Sequence, residues 1–236
     1  MYAWRAEIGL INPGTGASME RDFHRFVPDG VGVITTRVPF GGMPSPEGLM
    51  EMADLLEDCA KVFSTRRHDL VMFGCTSGSL IGGPGFDQEC IRRIERASGA
   101  PGLTTSTVLM EGFARLGVGK VAAITPYPDD TNAIEKQFLE SHGIGVTGIR
   151  GMHQTEKSIA DIQPSFVYQK VKELDLSHSD CIFISCTGLN VLDIIETIET
   201  DFGLPVVTSN QVTLWGALRH ARVGVKIPRL GKLFTL

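Results

Sequence analysis

The chain has 236 residues, 42% hydrophobic and 21% charged, enough for one large domain or two small ones with a proper core. A net charge of −5 offers no basic face for nucleic acid, and no apolar run approaches the roughly 20 residues that span a bilayer. Five cysteines, an odd number behind an opening Met1-Tyr2-Ala3-Trp4-Arg5 without the apolar core of a signal peptide, favour reduced thiols in a cytoplasmic protein over a disulfide framework.

Ala6 to Ile11 reads as a first strand ending at the turn Asn12-Pro13-Gly14-Thr15-Gly16, followed by a short amphipathic pattern from Met19 to Phe26. Gly30 to Val38, rich in β-branched residues, is a second strand. After the loop Phe40 to Pro46, Ser45 reads as an N-cap with Pro46 at the first helical position of a helix reaching Phe63. Leu70-Val71-Met72-Phe73 is a third strand, delivering Gly74-Cys75-Thr76-Ser77-Gly78-Ser79. A helix over 86–98, a strand over 101–106 and a helix over 107–116 complete this half.

The pattern then repeats. Val121 to Pro126 resembles the first strand, Gly143 to Arg150 the second, Ser179 to Thr187 the third and Pro205 to Ser209 the fourth. Pro13 to Pro126 is 113 residues, Arg37 to Arg150 is 113, Cys75 to Cys186 is 111 and Pro101 to Pro205 is 104. Four landmarks in one order imply an internal duplication. The expected fold is α/β: two pseudo-twofold-related halves, each a four-stranded parallel sheet flanked by helices, with the active site in the cleft between them. The halves are residues 1–117 and 118–218, and a tail over 219–236 is expected to pack back on the first half.

Each sulfur of Cys75 and Cys186 follows a short apolar strand preceded by Asp69 or Asp180, and each is followed by a Thr. Strand C-terminal ends are where open α/β sheets place ligands, and a helix start beyond them favours a thiolate. Two such sulfurs flanking one cleft suit three reactions on a small carboxylate: inversion of a stereocentre, cis–trans isomerisation by addition to a double bond, or protonation of an enediolate after decarboxylation. Thr76, Ser77 and Thr187 are placed to hold the charge that develops on the carboxylate. Cys59, Cys90 and Cys181 fall within elements and read as core cysteines. The six histidines show no metal or triad spacing. Gly82-Gly83-Pro84-Gly85 lacks the Lys-Ser/Thr of a phosphate loop and reads, with Gly41-Gly42, as a cleft rim. Arg37 and Arg150 repeat one another, which favours a duplicated structural or carboxylate-facing role over a dinucleotide contact.

The paired Cys-Thr motifs, Thr125-Pro126-Tyr127, Ser185-Cys186-Thr187-Gly188-Leu189 and Pro205 to Asn210 resemble the aspartate/glutamate racemase superfamily, most closely its branch of maleate cis–trans isomerases and arylmalonate decarboxylases. The resemblance covers nearly the whole chain. It implies a cofactor-independent isomerase with Cys75 as nucleophile, Cys186 as proton donor and Tyr127 on a substrate carboxylate; Thr76, Ser77, Thr187, Gly188 and Asn12 are the candidate substrate contacts by their place in the chain. It also implies a small carboxylate as the only partner besides further copies of the chain in a homo-oligomer. Racemisation, decarboxylation and non-catalytic carboxylate binding are the alternatives. The decarboxylases carry a small residue in place of the first cysteine, so Cys75 argues against decarboxylation. The isomerases carry an Asn in the loop after the first strand where this chain has Gly16; Asn12, Thr15 and Ser18 are the polar residues left there.

Overall fold

The computed structural model describes residues 3–40, 44–154 and 159–236; Gly41-Gly42 of the expected rim lies outside them. The first half comprises β1 (Ala6–Pro13), α1 (Ala17–Phe26), β2 (Val31–Val38), α2 (Pro46–Asp54), α3 (Leu56–Lys61), β3 (Leu70–Phe73), α4 (Thr76–Leu80), α5 (Phe86–Ser98), β4 (Gly102–Thr104) and α6 (Thr105–Leu116). The second comprises β5 (Lys120–Thr125), α7 (Asp129–Ser141), β6 (Gly145–Gly151), α8 (Pro164–Val171), β7 (Cys181–Ile184), α9 (Ile195–Phe202), β8 (Val206–Thr208) and α10 (Ser209–His220). The sheets run β2-β1-β3-β4 and β6-β5-β7-β8, every pair parallel. This is the two-sheet α/β architecture expected from the duplication.

Central strands explain the continuous apolar runs. All eight residues of β1 are buried, as a strand covered on both faces requires. Ile8, Leu10 and Met72 face a core that continues into the second half, whereas Ile11, Val71 and Phe73 face α2, α3 and α5. The repeated aspartates tie down the strand entrances. Asp69 Oδ2 accepts the Glu7 N–H at 2.8 Å, and Asp180 Oδ2 accepts those of Gly119 and Lys120 at 3.0 and 2.8 Å.

Two boundaries differ from the sequence reading. The fourth strand of each half ends early because a threonine caps the next helix: Thr104 accepts from the Thr107 N–H, and Thr208 closes a capping box with Gln211. The single helix expected up to Phe63 is broken at Leu55, whose N–H bonds Met52 O at 3.2 Å in the tighter i−3 register; α3 then resumes and runs into a 3₁₀ turn over Val62–Thr65.

The halves meet through equivalent helices. A Cβ on Gly112 of α6 would stand 2.6 Å from Val212 of α10, and a Cβ on Gly216 would run into Val108. Each glycine thus makes room for the other helix's valine. The Thr105 and Thr213 hydroxyls bond across this contact at 2.9 Å. The tail touches both halves: Gln211 donates to Leu230 O, Lys232 N–H bonds Glu199, and the Arg229 guanidinium lies 4.8 Å over the ring of Phe26.

Gly216→Ala should therefore destabilise the fold by about 1–3 kcal/mol through overpacking, against the roughly 1 kcal/mol that alanine ordinarily gains over glycine in a helix. Urea midpoints check this. Val108→Ala in the same chain should recover part of the loss, so that the double mutant falls short of the sum of the singles.

Candidate active site

β3 ends at Phe73, and Gly74 lets the chain pass under Met19 and Leu10 to Cys75. Cys75 is the N-cap of α4, and its Sγ accepts the Gly78 N–H at 3.3 Å. The Ser77 hydroxyl lies 4.0 Å from the same sulfur. In the other half β7 ends at Ile184, and Cys186 comes two residues later with φ +107°, a backbone conformation unusual for any residue with a side chain. Its Sγ accepts the Gly188 N–H, also at 3.3 Å. A hydrogen bond from a backbone N–H favours the thiolate form of a sulfur. Neither glycine can be replaced freely: a Cβ on Gly78 would meet Met52 and Cys75 Sγ, and one on Gly188 would stand 2.8 Å from Ile159.

Beyond the sulfur the two motifs diverge. Cys75 opens a helix, but the helix start expected after Cys186 is displaced. A turn over 187–188 and a 3₁₀ turn over Leu192–Ile194 intervene, and α9 begins only at Ile195.

A single hydroxyl joins the motifs. Ser209 Oγ, at the start of α10, accepts from Thr76 Oγ1 at 2.7 Å and from the Cys186 N–H at 2.9 Å. The residue after one cysteine and the backbone of the other are thereby fixed to one point. Tyr127, from the turn after β5, lies against the same place and is fully buried. Its hydroxyl hydrogen-bonds Ser77, and burial, reinforced by the charges of Cys186, Glu135 and Cys75, holds its pKa well above the ordinary value. It is therefore a neutral donor. The sulfurs are themselves nearly enclosed, Cys75 being 5% exposed and Cys186 7%. Thr187 and Gly188 are part of the same buried turn, with Ser18 of α1 donating to Gly188 O at 2.9 Å.

Asn12 stands at the end of β1 and is fully buried. Its Nδ2 donates to Gly16 O, and its Oδ1 has no hydrogen-bond partner among the described residues. A Cβ on Gly16 would lie 2.6 to 2.9 Å from the Asn12 carboxamide, so the space above residue 16 is occupied by the side chain of residue 12.

The other sequence candidates fall elsewhere. Arg37 is bound to Glu20 and to the carbonyls of Pro13 and Gly14, and Arg150 to Glu173, so both are structural. His153 is half exposed beside Asp129. Burial pushes the Cys90 thiol up to about 12 and raises that of Cys181, as inert core cysteines require. Cys59 is only partly buried, its thiol 3.7 Å from Arg37 O. Among the described residues no group of three or more His, Cys, Asp and Glu could hold a metal ion. No described helix is long and apolar enough to cross a membrane.

Sequence reasoning missed Ser209, Ser185 and Glu135. Ser209 carries one signal, its place as the repeat partner of Thr105. Glu135 carries another: it lies four residues after Thr131 and three before Phe138, on the buried face of α7.

Comparison with known proteins places this geometry. The model of the arylmalonate decarboxylase family matches residues 8–234. Arylmalonate decarboxylase of Bordetella bronchiseptica is 31% identical, over 96% of this chain and 95% of its own length. Maleate isomerase of Nocardia farcinica is 27% identical, over 96% and 94%. Among solved structures, a Nocardia farcinica maleate cis–trans isomerase mutant with a covalently bound succinylcysteine intermediate superimposes with a TM-score of 0.91, covering 97% of this chain and 98% of that one at 24% identity. With two parallel sheets, a cysteine at the end of the third strand of each and a family match over almost its whole length, the chain belongs to the arylmalonate decarboxylase family.

Proposed function

We propose that the protein is a cofactor-independent cis–trans isomerase of a small dicarboxylate such as maleate. The observation that carries this reading is the Ser209 hydroxyl, which binds Thr76 and the Cys186 backbone together and so draws both cysteines to one place beside Tyr127. Decarboxylation needs one sulfur to protonate an enediolate; a second, held by an equivalent glycine N–H, supports a reaction that uses two.

The steps balance without a cofactor. The Cys75 thiolate adds to one alkene carbon, forming a C–S bond. Electron density moves onto the carboxylate of the neighbouring carbon, and the Cys186 thiol gives that carbon its proton. The former double bond is now single and rotates. Cys186, now a thiolate, takes the proton back, the C–S bond breaks, and the trans alkene leaves with Cys75 again a thiolate. The covalently bound succinylcysteine named for the Nocardia structure is the kind of adduct that such an addition to a four-carbon dicarboxylate forms. The negative charge of the intermediate falls to Thr76, Ser77, Thr187, Gly188 and the neutral Tyr127 hydroxyl, donors that strengthen as charge develops.

Asn12 supplies, through the second N–H of Nδ2, the contact that the isomerases take from the loop residue replaced here by Gly16. Its carboxamide fills the space above Gly16, and glycine at 16 is what leaves room for it.

Proton NMR of the reduced protein with maleate in D₂O should show fumarate, and Cys75→Ala or Cys186→Ala should each lower turnover about a thousandfold or more. Near-normal activity in either variant would exclude the two-sulfur mechanism. Uptake of α-deuterium by amino or hydroxy acids would instead indicate a racemase, loss of CO₂ from an arylmalonate a decarboxylase, and silence throughout a binding protein. Asn12→Ala should raise KM about tenfold or more, the loss of a hydrogen bond to a charged group, with a smaller effect on kcat. Gly16→Asn alone should have a higher KM than the original chain because the two side chains collide, and Asn12→Ala with Gly16→Asn should recover a KM near that of the original chain.

A further inference from the structure

Glu135 is a buried acid that the two-sulfur mechanism leaves unused. Its side chain is fully enclosed on the inner face of α7. Oε1 accepts the Ser185 hydroxyl at 2.5 Å, and Ser185 is the residue before Cys186. Oε2 is buried with no hydrogen-bond partner among the described residues. No cation among them compensates it. α7 packs on β6 and on α4 of the other half. α4 carries no charged residue, and Arg150 of β6 is exposed and paired with Glu173. On α7 itself Asp129, Asp130, Lys136 and Glu140 are exposed. The titratable groups that do face the carboxyl are those of the site: the Tyr127 hydroxyl feels the charges of Cys186, Glu135 and Cys75 together.

A carboxylate so placed is costly, because a buried charge loses its hydration and here gains only the one Ser185 hydrogen bond in return. Burial pushes the pKa of Glu135 up to about 7, with the Ser185 hydrogen bond opposing the shift. Near neutrality the group therefore changes charge.

We propose that Glu135 is a positioning residue that must hold its proton for the site to accept an anion. Neutral, it anchors Ser185 and with it the end of β7 that presents Cys186. Ionised, it sets an uncompensated negative charge beside two sulfurs and a dicarboxylate. The anionic substrate rests on the proposed isomerase function; the carboxyl's effect on the sulfurs does not.

The direction follows from the proton balance. The protonated form dominates below the carboxyl's pKa and binds the anion. As pH rises through that pKa the competent form is lost, and KM rises toward a limit of about tenfold per pH unit. The test is KM and kcat for maleate between pH 6 and 8.5 in the original protein and in Glu135→Gln, an isostere that still accepts from Ser185 and never ionises. The expected result is a KM that climbs with pH in the original protein and stays level in the variant, with kcat following similar profiles in both. In parallel, alkylation of Cys75 and Cys186 by neutral iodoacetamide, read by mass spectrometry, should reach its half-maximal rate at lower pH in Glu135→Gln. Superimposable KM and alkylation profiles would overturn the proposal. If neither protein turns over maleate, the substrate reading fails and alkylation alone decides the role of Glu135. Melting curves separate a purely structural acid. The folded carboxyl keeps a proton that the unfolded chain releases above its ordinary pKa, so stability of the original protein should fall from about pH 5 to 7, a fall that Glu135→Gln lacks. That difference without any change in KM or alkylation would also overturn the proposal.

Discussion

The contact between α6 and α10 is the constraint on which the site depends. These are equivalent helices of the two halves, and they approach closely because Gly112 faces Val212 and Gly216 faces Val108. Close approach of the helices brings their N-terminal ends together, and those ends carry the hydroxyls that stitch the halves. Thr105 bonds Thr213 and Thr76 bonds Ser209 across the halves; Ser209 also takes the Cys186 backbone, and Ser106, within the first half, bonds Ser79 at 2.6 Å. Buried hydroxyls need partners, since each one left unpaired costs about 1–3 kcal/mol. The network therefore admits few relative placements of the halves, and the two cysteines inherit that precision.

Around this axis the duplication is kept in some features and broken in others. Both sulfurs accept a glycine N–H at the same distance, and both glycines lack room for a side chain. Cys75, however, caps a helix in an ordinary extended conformation, whereas Cys186 sits at positive φ in a turn. A backbone held in a disfavoured region costs about 1–3 kcal/mol and persists only where its surroundings demand it. Here the demand comes from the Ser209 bond to the Cys186 N–H and from Gly188. The proposed mechanism gives the two sulfurs different tasks, and their backbones differ as well.

Much of the site's polarity is kept neutral by its surroundings. Tyr127 keeps its proton through burial, and a protonated Glu135 would stand behind Ser185 without charge. A site that binds one or two carboxylates and forms a thiolate holds several negative charges in a small volume. Neutral donors stabilise them without adding another. At the end of β1 the Asn12 carboxamide, another neutral group, fills the space above Gly16.

The duplication, the parallel sheets and the strand-end cysteines were legible in the chain because each is written in short-range patterns: β-branched or apolar runs of fixed length, a preceding Asp, a following Thr, and a spacing repeated in order. Cys90 and Cys181 were likewise marked as core residues by their positions inside elements. The ends of β4 and β8 were misplaced because threonine serves equally in a strand and as a helix cap, and the capping hydrogen bond is settled by local three-dimensional geometry. Asn12 stayed unresolved among the polar loop residues, since no spacing rule reveals that residue 12 fills the space above residue 16. Folding alone joined Thr76 to Ser209 across 133 residues and Ser185 to Glu135 across 50. Such pairs come from packing two halves face to face, and a hydrogen bond between distant segments leaves no periodic trace in the chain that forms it.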